Sequence, residues 1–81
     1  MRPVDPVDAE RHLLRAVETA RAAGLTLFEL RAATSLARLW REQDRRAAAR
    51  ELLAPVFGWF TEGFDTADLK DAKALLEELA A

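Results

Sequence analysis

The 81-residue sequence has no cysteine, only three glycines, and a single histidine and serine. The lack of cysteine excludes disulfides, thiolate metal sites and cysteine nucleophiles. With only Gly24, Gly58 and Gly63, the chain has no glycine-rich phosphate-binding loop. No run approaches the roughly 20 consecutive apolar residues of a membrane span, and residues 1–6 lack the apolar core of a signal peptide. We therefore expect a cytoplasmic protein without a membrane anchor or a cofactor.

What is present favours one small folded domain. Hydrophobic residues make up 51% of the chain and charged residues 32%, which is too apolar for a disordered protein. We expect a single domain over residues 1–81, with 1–5 as a disordered or capping N-terminus. Ten arginines against two lysines, in an alanine-rich chain, suggest a bacterial source.

The charge is unevenly distributed along the chain. The formal net charge is −2, but residues 1–50 carry ten arginines against seven acidic residues. Residues 51–81 carry two lysines against seven acidic residues. This gradient is large enough to orient partners or subunits relative to one another.

Apolar residues at helical spacing predict an all-α fold without strands. The four predicted helices are at about residues 6–23, 26–43, 45–62 and 66–80. Thr26 and Glu29 have the spacing of a capping box at the start of the second helix. Pro55 predicts a kink in the third helix. Because the linkers are short, successive helices should lie antiparallel, as two αα-hairpins.

Asp44, at the end of the second predicted helix, has two interpretations. It can close that helix in a left-handed conformation, or it can cap the start of the third helix. Both roles suit a short acidic side chain.

The first and third helices repeat one another. At an offset of 39 positions, five residues of the first helix recur in the third. Ala9, Arg11, Leu13, Leu14 and Val17 correspond to Ala48, Arg50, Leu52, Leu53 and Val56. At an offset of 40, Ala9 and Leu13 match Ala49 and Leu53 instead, so the offset is open by one residue. A period near 40 is typical of helical-hairpin repeats, and is slightly longer than the tetratricopeptide unit of about 34 residues.

The central part of the chain resembles the middle of a tetratricopeptide repeat, in segments 36–40, 44–46 and 49–53. That pattern is a large-small pair, an aromatic residue and a turn, followed by alanine and a bulky residue one helical turn later. Asp44, where the family prefers glycine, and Pro55 inside the second helix of the repeat depart from that pattern.

Residues 30–79 further resemble the C-terminal repeats of large bacterial signalling proteins, which fuse a class III nucleotide cyclase or kinase domain to an ATPase and a tetratricopeptide tail. The stretch 54–69 is the most specific part of this likeness. The resemblance implies a right-handed helical stack and a non-catalytic protein-binding module that forms the C-terminal repeat or capping segment of such a protein.

The resemblance also implies where a protein or peptide partner would bind. In tetratricopeptide stacks the first helix of each hairpin lines the concave surface, which here is the second helix. The implied partner-binding strip consists of Arg31, Thr34, Ser35, Arg38 and Arg41.

An arginine cluster surrounds the turn between the second and third helices. Its members are Arg38, Arg41, Arg45, Arg46 and Arg50. Guanidinium groups bind carboxylates and phosphates, so the alternative function is a nucleic-acid-binding helical domain. The negative net charge opposes that alternative, and a solvated face paired with nearby acidic residues is the commoner arrangement.

Aromatic residues concentrate on and after the third helix. Most of them should fill the core, but not all can point inward from one kinked helix. We expect Phe57 or Trp59 to be exposed as a contact.

No pattern of catalytic or metal-binding residues is present. His12 and Ser35 lie on different helices without a catalytic motif around them. Asp65, Asp68 and Asp71 lack the glycine hinge and late glutamate of a calcium loop. We therefore expect neither an enzyme nor a metal site.

The outer side of the first helix is not strongly polar. Leu14, Ala22 and Ala23 lie off its main apolar stripe, so a lone domain would expose apolar surface there. We expect a weak homodimer through a two-fold contact, or a swap of hairpins between two copies.

Overall fold

The all-α prediction is confirmed. The computed structural model describes residues 6–60 and 66–80, and within them the backbone forms four helices and no strand. The helices are α1 (Pro6–Ala23), α2 (Thr26–Glu42), α3 (Arg46–Gly58) and α4 (Ala67–Ala80). Residues 1–5 lie outside the described residues. None of the described helices is both long and apolar enough to cross a membrane.

Helices α1 and α2 end in the same way. Gly24 has φ +72°, and the next amide, of Leu25, donates to the carbonyl of Ala20 at 2.8 Å. At the end of α2, Asp44 has φ +62°, and the amide of Arg45 donates to the carbonyl of Trp40 at 2.7 Å. Both are left-handed caps that satisfy carbonyls of the last helical turn.

The structure therefore decides between the two interpretations of Asp44. The residue that caps the start of α3 is Arg45, and no side chain makes a capping hydrogen bond there. Asp44 closes α2, at the position where the tetratricopeptide pattern has glycine.

The predicted capping box was wrong. Leu25, not Thr26, is the N-cap of α2, and no side chain caps it. Thr26 is already helical, and the Glu29 carboxylate accepts a hydrogen bond from Nε of Arg21 at 2.9 Å. An arginine at the end of α1 competes successfully for the carboxylate because a charged donor binds it more strongly than a backbone amide does.

Helix α3 ends earlier than the predicted residue 62. Pro55 lies inside it, and the helix stops at Gly58. The amides of Trp59 and Phe60 then donate to carbonyls three residues earlier, each at 3.2 Å, which tightens the final turn. Residues 61 and 62 lie outside the described residues.

Helix α2 is the centre of the structure. Among the described residues it contacts α1, α3 and α4, whereas α1 contacts α2 alone. Its inner face is fully buried at Leu30, Ala33 and Leu36. The rest of the buried apolar core is formed by Val17, Ala20, Ala37, Trp40, Ala49, Leu53, Val56, Leu69, Ala72, Leu75 and Leu79.

Substitution of Leu53 tests this packing. It is completely buried, so Leu53→Ala should leave a cavity and lower the free energy of unfolding by about 2–5 kcal/mol. The matched control is Leu27→Ala, the same change at an exposed position of α2, which should cost less than about 1 kcal/mol. Urea denaturation measures both, and equal losses would contradict the core described here.

Substitutions of Asp44 test the left-handed cap. Asp44→Gly should be neutral or stabilising by up to about 1 kcal/mol, because glycine adopts a positive φ without a Cβ penalty. Asp44→Ala should be the least stable of the three proteins, since alanine disfavours this conformation. Thermal melts rank them, and a clear loss of stability in Asp44→Gly would show that the carboxylate itself is needed.

Candidate partner-binding groove

A row of three ion pairs joins α2 to α4. Nε of Arg31 lies 3.0 Å from Oδ2 of Asp68. Two turns further along α2, and one turn further along α4, Nη2 of Arg38 lies 3.9 Å from Oδ2 of Asp71. The third pair is Arg41 with Glu78, near the ends of both helices. The basic residues are all on α2 and the acidic residues all on α4, so the two helices present opposite charges to each other.

A groove of about 260 Å³ lies between these helices. Its lining consists of Arg31, Thr34, Ser35, Arg38, Asp68 and Asp71. Arg41 lines an adjoining depression together with Glu78. Every residue of the sequence-predicted strip thus lies along the junction between α2 and α4. On the α4 side the groove is bordered by an acidic wall, which consists of Asp68, Asp71 and Glu78.

Within the strip the residues differ in what they can do. Thr34 is buried, and its hydroxyl donates to the carbonyl of Leu30 at 2.7 Å, so it forms the floor. Ser35 is exposed, and its hydroxyl can donate or accept. The Arg38–Asp71 pair has both side chains about half exposed and the longest separation of the three. A ligand can replace this ion pair with the smallest loss of folding free energy, because exposed ion pairs contribute little to stability.

An exposed aromatic ring lies near the Arg31 end of the groove. Leu27 and Phe28, in the first turn of α2, are exposed, Phe28 by 56%. The Arg31 guanidinium lies 5.7 Å from the centre of the Phe28 ring, a cation–π contact that places the ring beside the first ion pair. A large exposed aromatic residue next to a polar groove can bind an apolar side chain of a ligand.

The arginine cluster predicted around the α2–α3 turn is divided by the fold. Arg38 and Arg41 face α4, whereas Arg45 binds Glu10 on α1. Arg46 donates to the backbone carbonyl of Glu78, at 3.5 Å. Arg50 is exposed and has no ion-pair partner among the described residues. The five guanidinium groups therefore do not form one phosphate-binding surface.

A polar clamp holds the beginning of α1 against the end of α2. Glu10 accepts hydrogen bonds from the indole of Trp40 and from Nη1 of Arg45, the latter at 2.7 Å. Arg45 in turn lies 4.7 Å from the centre of the Trp40 ring. The Trp40 hydrogen bond, and secondarily the Arg45 hydrogen bond and charge, lower the pKa of Glu10 below the ordinary glutamate value.

The other residues singled out from the sequence lie outside the groove. Trp59 is 53% exposed just after α3, whereas Phe57 is half-buried against the core. His12 is exposed on α1. Among the described residues no group of three His, Asp or Glu side chains is arranged to hold a metal ion.

Sequence reasoning missed the buried carboxylate of Glu29 and the acidic wall of α4. Glu29 is 2% exposed and paired with Arg21. A signal for the acidic wall was present, because basic residues dominate the first 50 positions and acidic residues the remainder. We interpreted that gradient as a device for orienting partners or subunits, whereas the fold uses part of it within one chain.

Comparison with protein-family models, with curated proteins and with solved structures yields no significant match for this chain. The tetratricopeptide resemblance therefore stays a hypothesis. The function has to be inferred from the groove and its chemistry.

The pH dependence of stability tests the clamp. A lowered pKa means that the Glu10 carboxylate stabilises the fold at neutral pH, and that this contribution is lost as the pH falls through the lowered pKa of the folded state. Glu10→Gln should therefore be less stable than the wild type at pH 7, and the difference should shrink towards pH 3.

Chemical denaturation across that pH range measures the difference. Glu18→Gln is the matched control, since Glu18 is exposed on the same helix. A Glu10→Gln deficit that is the same at every pH would contradict a charged clamp.

Proposed function

We propose that this chain is a non-catalytic protein–protein interaction module, in which the groove between α2 and α4 binds a short segment of a partner protein. The observation that carries the proposal is the groove itself, bordered by arginines on one side and carboxylates on the other. Exposed groups of both signs can exchange their mutual contacts for contacts to a ligand, with little loss of domain stability.

The positions of the polar contacts support a tetratricopeptide-like stack. Glu10, early in α1, binds Trp40, late in α2, while Arg21, late in α1, binds Glu29, early in α2. This order of contacts favours an antiparallel arrangement of α1 and α2. Along α2 and α4 the ion pairs follow the same order in both helices, as expected for the equivalent helices of successive hairpins.

The ligand chemistry follows from the groove lining. Carboxylates of the partner would bind Arg31 or Arg38, and backbone amides or basic side chains would bind Asp68 or Asp71. An apolar side chain at one end would contact Phe28. The ligand class is therefore a mixed-charge peptide with one apolar anchor. A C-terminal segment of a bacterial signalling protein, as the sequence resemblance implies, would use such a groove to bind a regulatory partner.

Nucleic-acid binding is the weaker candidate. Arg38 and Arg41 already face acidic residues of α4, and Arg45 binds Glu10. Phosphate-backbone binders concentrate unpaired positive charge on one surface, which these residues do not provide.

Selection from a displayed library of short peptides tests the proposal. We expect enrichment of peptides that combine an acidic and an apolar residue. Arg38→Glu should weaken binding of a selected peptide at least tenfold, as measured by fluorescence anisotropy. The reason is that the attraction between residue 38 and the acidic residue of the peptide becomes a repulsion.

Arg50→Glu is the matched control. It makes the same charge change at an exposed arginine of α3 outside the groove, and it should leave binding unchanged. Equal weakening by both variants, or no enrichment of any peptide, would contradict the groove as the binding site.

A further inference from the structure

The internal repeat extends to the second and fourth helices. At the same offset of 39 positions that relates α1 to α3, three buried residues of α2 recur in α4. Leu30, Ala33 and Leu36 correspond to Leu69, Ala72 and Leu75. The chain therefore repeats with a period of two helices, and each residue of α1 can be compared with its counterpart in α3.

Leu14 and Leu53 occupy equivalent positions in these units but differ sharply in burial. Leu53 is completely buried, and its helix, α3, contacts both α2 and α4. Leu14 is 36% exposed, and its helix, α1, contacts only α2 among the described residues. The exposed leucine thus marks the side of α1 on which a second neighbouring helix is missing.

Charged residues flank this leucine in a self-complementary order. Arg11, Leu14 and Glu18 follow the i, i+3, i+7 spacing of one helix face, and both charged residues are exposed. Within residues 6–60 and 66–80 neither Arg11 nor Glu18 has an ion-pair partner.

A two-fold axis beside Leu14 would complete this face. Arg11 and Glu18 lie almost equally far from such an axis, about 5 Å along the helix in opposite directions. An antiparallel second copy of α1 therefore places Glu18 of one chain level with Arg11 of the other, twice by symmetry, with the two Leu14 side chains between them.

We propose that the stripe of Arg11, Leu14 and Glu18 is a self-association surface, on which α1 of a second copy of this chain packs antiparallel about a two-fold axis. Arg11, Leu14 and Glu18 do not line the α2–α4 groove, and among the described residues α1 does not contact α4, so packing on this stripe leaves the groove residues uncovered. Dimerisation and peptide binding are accordingly independent properties.

Charge reversal with sedimentation equilibrium over a concentration series tests the contact. The wild type should approach twice the 9.0 kDa of one chain at high concentration. Arg11→Glu or Glu18→Arg alone should raise the dimer dissociation constant about tenfold, since each creates two like-charge pairs. The double variant should restore wild-type dimerisation, because both pairs are then re-formed with the signs exchanged.

Two further variants make the test specific. Leu14→Asp should abolish the dimer while circular dichroism shows the same helix content, because the residue is partly exposed and two carboxylates would meet at the axis. Arg50→Glu, the same change at the position of α3 that corresponds to Arg11, should leave dimerisation unchanged.

Three results would overturn the proposal. One is a wild-type mass that stays monomeric at every concentration. Another is a double variant that remains as weak as the single variants. The third concerns Lys73, an exposed residue of α4. A loss of association in Lys73→Glu equal to that in Arg11→Glu would indicate head-to-tail packing of α1 on α4 of the next copy.

Discussion

Burial of the inner face of α2 is the constraint on which the other features of the structure depend. Leu30, Ala33 and Leu36 have no solvent exposure, and α2 contacts each of the other three described helices. Small residues between the leucines let neighbouring helices approach closely on more than one side. In a chain of this size the apolar area buried on one central helix is a large share of the available stabilisation.

Placing α2 at the centre determines how the charged residues are used. Along the edge of α2 that faces α4, three arginines meet three carboxylates of α4. These pairs are largely exposed, so each contributes little to stability. Their effect is to form a groove of mixed charge whose groups are already oriented, which is more useful for recognition than for holding the domain together.

Helix α1 is attached differently from α4. Its own apolar contact with α2 is supplemented at each end by a polar contact, Glu10 with Trp40 and Arg45 at one end, and Arg21 with Glu29 at the other. A helix with a single neighbour buries one narrow stripe, and charge-assisted hydrogen bonds at both ends fix its orientation. The same single-sided attachment leaves Leu14 partly exposed, whereas its counterpart Leu53 is buried.

The sequence by itself determined the four helices and most of their boundaries. Apolar periodicity is a local property, and Gly24 ends α1 because it adopts a positive φ without steric cost. The sequence left two roles for Asp44, since an acidic side chain suits both. Only its backbone conformation in the folded chain decided between them. The capping box failed because Glu29 has a stronger, non-local donor in Arg21.

The tertiary structure alone decided which charges meet. Arg38 and Arg45 belong to one basic cluster in the sequence, but Arg38 faces Asp71 on α4 and Arg45 binds Glu10 on α1. Coulombic attraction depends on the distance between side chains, and partners more than 30 residues apart are brought together only when the helices pack. The residues that line the groove on the α2 side were thus implied by the tetratricopeptide resemblance, whereas the acidic residues on its α4 side could be identified only from the packing of α4 on α2.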